Sequence, residues 1–196
     1  MNNSKPKIFV IAGPNGSGKT TSAKTLLPKL LECHEYVNAD SVAAALSPFN
    51  PDAVAIQAGR LMLERIKYLA ERGVTFAFET TLASRTFLNF LNKCKEIGYD
   101  INILYLWLQN SEIAITRVKS RVEQGGHDIP RDVIVRRYNR SIKNFLNEYV
   151  KVANNWALYD NSEKHSELIA YKTNDSSLNV IDDAIWQQIR RITTCR

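Results

Sequence analysis

Eight consecutive residues, Gly13-Pro14-Asn15-Gly16-Ser17-Gly18-Lys19-Thr20, satisfy the pattern G-x-x-x-x-G-K-[ST] at every position. Each element has a chemical reason. Glycines let the backbone curl until successive N–H groups point inward at phosphate oxygens. A helix beginning at that turn presents the positive end of its dipole to the same anion. Lys19 supplies a point charge able to bridge β- and γ-phosphates, and the Thr20 hydroxyl is a ligand for Mg²⁺; Thr21 extends the polar run. The ordinary alternative is a chance glycine-rich turn, which would meet the fixed positions in roughly one chain in a hundred of this length. The apolar run Lys7 to Ala12 before it and the helical stretch after it are the context that the phosphate cradle requires.

Phosphoryl transfer to a hydroxyl also needs carboxylates, one to orient or deprotonate the nucleophile and another to help organise the magnesium. Asp40 follows a short strand, Tyr36 to Asn38, and has the chemistry of a base. It is equally suited to cap the small helix Ser41 to Leu46, and both roles can hold at once. Glu79 ends the apolar strand Val74 to Phe78, the pattern of a Walker-B-like strand rather than an ordinary polar terminus. Thr80 and Thr81 add hydroxyls at the place where a parallel sheet receives its ligand, which puts Glu79 and Thr81 on the substrate side.

The charge balance has a location. The chain carries 26 Lys and Arg against 20 Asp and Glu, net +6, and +5 of that lies between Arg117 and Lys143, with eight Lys/Arg and three acids. Lys119 has Glu123 four residues on, and Arg136 has Asp132 four residues back, so both read as solvated helix pairs. Arg136, Arg140 and Lys143 sit opposite an apolar stripe and read as a solvated face. Arg117 and Arg121 have no acid at helical spacing, and Gly125-Gly126 between two basic helices is a natural hinge. A lid over about 117–143 follows, with Arg121 and Arg131, flanking the hinge, closing on a triphosphate and neutralising transition-state charge.

The elements that must position these residues are legible as alternating periods. Short apolar strands are expected at 7–12, 36–38, 74–78, 101–108 and 168–172. Helices are expected after the glycine loop to about Leu27, where Pro28 stops it, and over 41–46, 51–72, 84–97, 111–124, 131–153 and 181–192. Asn50 and Pro51 start the third of these, Ser111 caps the fifth, and Gly73 and Gly98 close the third and fourth. In the helix from Arg131, residues Ile134, Tyr138, Ile142, Phe145, Tyr149 and Val152 form one stripe. Strands alternating with helices over 196 residues predict a single P-loop NTPase-like α/β domain, 1–196, in three layers around a mainly parallel five-stranded sheet.

Composition excludes other classes. At 44% apolar and 23% charged residues, with eight Gly and six Pro, the chain is neither disordered nor collagenous. Cys33, Cys94 and Cys195 are odd in number and far apart, so neither a disulfide framework nor a zinc site is expected, and reduced thiols fit a cytoplasmic protein. The polar start shows no signal peptide, and no apolar run approaches a membrane span.

Taken together, the sequence resembles the zeta-toxin family of P-loop kinases over about residues 7–175. The resemblance is carried by the glycine loop, by Asn38-Ala39-Asp40, and by Phe78-Glu79-Thr80-Thr81-Leu82. Gly125-Gly126-His127-Asp128-Ile129-Pro130 with Arg136-Arg137-Tyr138 beyond, and Tyr159-Asp160-Asn161-Ser162, complete it. The resemblance implies ATP and Mg²⁺, with Asp40 at the position that deprotonates a substrate hydroxyl, and an antitoxin protein as partner. The family's characterised toxins phosphorylate UDP-N-acetylglucosamine and poison cell-wall synthesis. Those toxins have an arginine directly behind the glutamate and threonine; here Ala83 and Ser84 intervene, and Arg85 is the nearest substitute on the substrate side. The glycine usual between that glutamate and threonine is Thr80. Two other readings are a P-loop protein acting on nucleic-acid ends and an ATP-gated binding module. Tyr138 is the single aromatic among Arg131 to Lys143, a poor stacking platform for a nucleic acid.

Overall fold

A computed structural model describes residues 5–126, 128–174 and 176–194; His127 and Cys195 lie outside them. The elements are β1 (Lys7–Ala12), α1 (Lys19–Leu30), β2 (Tyr36–Val37), α2 (Ala39–Leu46), a 3₁₀ turn (Pro51–Val54), α3 (Ala55–Glu71), β3 (Phe76–Thr80), α4 (Leu88–Glu96) and β4 (Asp100–Trp107). They continue with α5 (Ser111–Glu123), α6 (Arg131–Asn144), a π turn (Phe145–Tyr149), α7 (Val150–Val152), β5 (Asn155–Asp160), β6 (Glu167–Lys172), β7 (Asn179–Val180) and α8 (Asp183–Thr194).

The sheet has seven strands in the order β2-β3-β1-β4-β5-β6-β7, not the five expected. The first five are parallel, and β6 and β7 add antiparallel pairs at one edge. The two missed strands have physical explanations. In β5 only every second residue is buried, Trp156, Leu158 and Asp160, and its polar ends hide so short an alternation. β7 is a two-residue edge pair, too short to carry a period.

Most of the core lies on one face. There Ile8, Val10, Phe76, Phe78, Ile101 and Tyr105 meet Met62 and Ile66 of α3, Leu91 of α4, Ile142 and Phe145, and Trp186 and Ile189 of α8. On the other face Phe9, Ile11 and Ala77 pack on Ala23 and Leu27 of α1. The stripe from Ile134 to Val152 is buried throughout, as its spacing predicts. Among the described residues no helix is long and apolar enough to cross a membrane.

Three local expectations change. Pro28 lies inside α1 rather than ending it, because it stands in the last turn, where only one helical bond is lost and the helix stops at Leu30. Asn38, not Asp40, caps α2: its side chain accepts from the Ser41 N–H, leaving the Asp40 carboxylate in the first turn. Asn110, not Ser111, caps α5 in the same way, accepting from the Ile113 N–H.

Candidate active site

Strand β1 is flanked by β3 on one side and β4 on the other, so the strand order reverses direction there, and ligands collect beyond the carboxyl end of such a strand. The glycine loop follows that end directly. Gly13 has φ +144°, and a Cβ on it would lie 2.3 Å from the Leu106 carbonyl oxygen, so no other residue fits. Gly18, at φ +84°, opens α1, and a Cβ there would meet Asn161 Nδ2 at 2.7 Å.

The loop surrounds one open cleft of about 790 Å³ lined from every side. Asn15, Gly16, Gly18, Lys19, Thr20 and Thr21 form its floor, and Asp40 and Arg60 come from α2 and α3. Glu79, Thr80 and Thr81 follow from the end of β3, and Arg117, Arg121, Arg136, Arg137 and Arg140 from α5 and α6.

Lys19 is buried and donates to the Pro14 carbonyl at 2.9 Å. Desolvation lowers its pKa below the ordinary lysine value; Glu79 and Asp40 oppose that shift, and Arg121 and Arg137 reinforce it. All four charges therefore act on the one ammonium group. Glu79 Oε2 accepts from Thr20 Oγ1 at 2.8 Å and from the Tyr36 hydroxyl at 2.5 Å, and Asn38 Nδ2 donates to that same hydroxyl at 3.2 Å. Burial and the neighbouring Glu79 hold the Tyr36 phenol well above its usual pKa, so it stays a donor.

Whether this corner fits magnesium can be judged from its donors. Mg²⁺ takes hard oxygens and usually binds through one or two protein groups plus substrate phosphates and water. Thr20 and Glu79 bring a hydroxyl and a carboxylate oxygen together beside the phosphate loop, so the donor set fits. Among the described residues no group of three or more His, Cys, Asp or Glu forms an all-protein cage.

The loop after β3 is held by α6 and the π turn that follows it. Ser141 Oγ donates to the Thr81 carbonyl, Asn144 Nδ2 to the Leu82 carbonyl at 2.7 Å, and the Tyr149 hydroxyl to the Ser84 carbonyl at 2.9 Å. They fix a strained turn, for Leu82 is buried with φ +53°, a conformation costing about 1–3 kcal/mol that persists only when its surroundings determine it. Thr81 is thereby pinned at the cleft wall.

The basic segment divides differently from its sequence reading. Arg121 lines the cleft as expected. Arg131 does not: at the first position of α6 it reaches sideways to Glu112 in the first turn of α5, 2.6 Å away at the exposed surface. Arg85 likewise turns to Glu148, at 2.8 Å, and is not among the cleft residues. Arg136 and Arg140, expected on a solvated face, line the cleft with Arg137, because they flank the buried stripe on the side toward the phosphate loop. Arg117 is spent on carbonyls: its guanidinium donates to Asn161 O at 2.7 Å and Ser162 O at 2.6 Å. Asn161 Nδ2 in turn donates to Ser17 O at 2.7 Å, so the β5–β6 connection is tied onto the phosphate loop. Sequence reasoning did not assign Tyr36, Arg60 or the structural part of Asn161. The one available signal was the i, i+4 spacing of Arg136 and Arg140.

Known proteins share this fold. The structure of AvrRxo1-ORF1:-ORF2 with ATP superposes with a TM-score of 0.77 at 15% identity, over 96% of this chain and 64% of that one. This chain thus spans just under two thirds of that neighbour's length. The PezAT chromosomal toxin–antitoxin system of Streptococcus pneumoniae superposes with a TM-score of 0.64 at 13% identity, over 97% of this chain and 86% of that one. An uncharacterized protein of Haemophilus influenzae is 29% identical over 132 residues, 67% of this chain and 92% of that protein. The zeta toxin family model matches residues 1–176. With the phosphate loop, the Thr20–Glu79 corner and the match spanning most of the sequence, the chain belongs to the zeta toxin family.

Proposed function

We propose that this protein is an ATP-dependent kinase that transfers the γ-phosphoryl group to a hydroxyl of a small molecule. UDP-N-acetylglucosamine, the acceptor of the family's characterised toxins, is the first acceptor to test. The observation that carries the reading is that Lys19, Thr20, Glu79 and Asp40 meet in one cleft at the carboxyl end of β1. Family membership supports a kinase-type phosphotransferase.

In this reading the backbone N–H groups of residues 13–20 and the α1 N-terminus hold the phosphates. Lys19 turns from the Pro14 carbonyl to the β- and γ-phosphates. Thr20 and Glu79 would hold Mg²⁺, which when bound would neutralise charge on the nucleotide's phosphates. Tyr36 keeps the Glu79 carboxylate oriented. Asp40, exposed in the first turn of α2 and freed from capping duty by Asn38, accepts the acceptor's hydroxyl proton. Arg121 and Arg137, which already act on Lys19, stabilise the transferring group. Arg131 is replaced in that role because its guanidinium is held by Glu112. Arg85, paired with Glu148, gives up the acceptor side to Thr81, Arg60 and Arg140.

An antitoxin partner in the cytoplasm belongs to the same proposal; PezAT is a toxin–antitoxin system, and AvrRxo1-ORF1 is seen with ORF2. The deciding experiment is transfer of labelled γ-phosphate from ATP to UDP-N-acetylglucosamine and then to a panel of hydroxylated metabolites. Acceptor-dependent turnover that disappears in Asp40→Asn while ATP binding persists supports the reading. Unchanged turnover in a folded Lys19→Ala protein overturns it.

A further inference from the structure

At the opposite end of the sheet from the cleft lies a second groove, about 670 Å³, within the range of small-molecule sites. Its position follows from the topology. Asn154 precedes β5, Trp156 stands near that strand's amino end, and Lys172, at the end of antiparallel β6, is the register partner of Trp156. Lys95 from α4, Lys151 from α7, Lys172 from β6 and Arg190 from α8 all line it, and among the described residues no carboxylate does. None of them belongs to the basic segment Arg117–Lys143.

Several features distinguish this groove from a solvated charge patch. Here four cations converge from four elements around a concavity, an arrangement that focuses positive potential. One is fixed in place: Lys95 Nζ donates to the Val152 carbonyl at 3.0 Å. The groove is floored by Trp156 and Trp186, whose rings stack at 6.3 Å and leave a rigid apolar base. Asn147, Asn154 and Asn174 add amide groups at the walls. Finally, Leu146 and Asn147 reach it from the π turn, a rare backbone form that is frequent at functional sites.

We propose that this groove is a second, non-catalytic binding site for a phosphorylated small molecule, recognised by Lys95, Lys151, Lys172 and Arg190. A small anion fits better than a nucleic-acid backbone, because the cations gather around one concavity instead of tracking along a stripe.

Pyrophosphate titrated into ¹⁵N-labelled protein tests the site directly. The indole N–H signals of Trp156 and Trp186 should shift saturably, alongside the amides of Gly16 and Gly18 that report the phosphate loop. The double variant Lys151→Glu/Lys172→Glu should weaken the indole response at least about tenfold, the loss expected for one charge-assisted contact, while the loop amides respond as before. Lys19→Ala should do the reverse. The loop amides serve as the internal check that the variant is folded. Indole signals that stay still while the loop amides shift overturn the proposal. An oligonucleotide that moves the indoles at lower concentration than pyrophosphate overturns it too, in favour of a nucleic-acid surface.

Discussion

The cleft at the carboxyl ends of the strands and the groove at their amino ends are of similar size, about 790 and 670 Å³, and both are ringed by cations. They differ in their acids. The cleft sets Asp40 and Glu79 among Lys19, Arg60, Arg121, Arg136, Arg137 and Arg140, while among the described residues the groove is lined by no carboxylate. Cations alone bind an anion. Moving a proton and holding a divalent metal beside that anion require carboxylates at the same place, and those carboxylates must be oriented. In the cleft Glu79 is oriented by two donors, and Asp40 is left exposed because Asn38 takes over the capping. Under the two proposals the sites separate binding from chemistry within one molecule, and substitutions can test the separation.

The largest effect is expected at Lys19. Lys19→Ala removes the only buried cation of the phosphate loop among the described residues, and should lower phosphotransfer by on the order of 10³-fold. It should also weaken nucleotide binding measured by calorimetry. Asp40→Asn comes next: acceptor-dependent turnover should fall about 10²–10⁴-fold with ATP affinity retained, since only the proton acceptor is lost. An equal loss of ATP affinity would return Asp40 to a structural part and blur the contrast with the groove.

The arginines sharpen the comparison further. Arg137→Ala should reduce turnover roughly tenfold or more by removing charge stabilisation next to Lys19. Arg131→Ala removes an exposed ion pair with Glu112, so it should change turnover little and thermal stability by less than about 1 kcal/mol. Steady-state kinetics on both variants check the assignment, and the reverse ranking would mean that the hinge-flanking arginine closes on the nucleotide after all.

These arginines also mark how far the sequence could be read. The phosphate loop was legible because its spacing is local and each position has its own steric or chemical reason, as the φ angles of Gly13 and Gly18 bear out. Strands β1, β3 and β4 were legible as apolar runs with a glycine at one end, whereas the parallel β5 was not. Which arginines face the cleft was not, because the sequence offers Arg136 a helical partner in Asp132 and gives no sign that α5 brings Glu112 beside Arg131. Asp40 and Asn38 posed the same difficulty: either can cap α2, and the choice follows from the tertiary placement of β2 and α2. Tyr36 was invisible for a further reason. Its partner Glu79 is 43 residues away in sequence, and their meeting depends on β2 pairing with β3 in one register.

Tyr36→Phe should give a small functional effect, and its pattern matters more than its size. The substitution keeps the ring and deletes one hydroxyl, so the fold and the phosphate loop stay intact. Glu79 Oε2 then loses one of its two donors, keeps Thr20, and gains rotational freedom. One net hydrogen bond to a charged group is worth about 1.5–3 kcal/mol, part of which water recovers at this half-buried position. The concentration of Mg²⁺ needed for half-maximal turnover should therefore rise several-fold, while ATP affinity measured with excess EDTA stays the same. Mn²⁺ binding to the nucleotide complex, followed by electron paramagnetic resonance, should weaken in parallel. If nucleotide binding without metal changes instead, Tyr36 shapes the cleft in general rather than the Glu79 carboxylate, and the metal corner is not what sets the cleft apart from the groove.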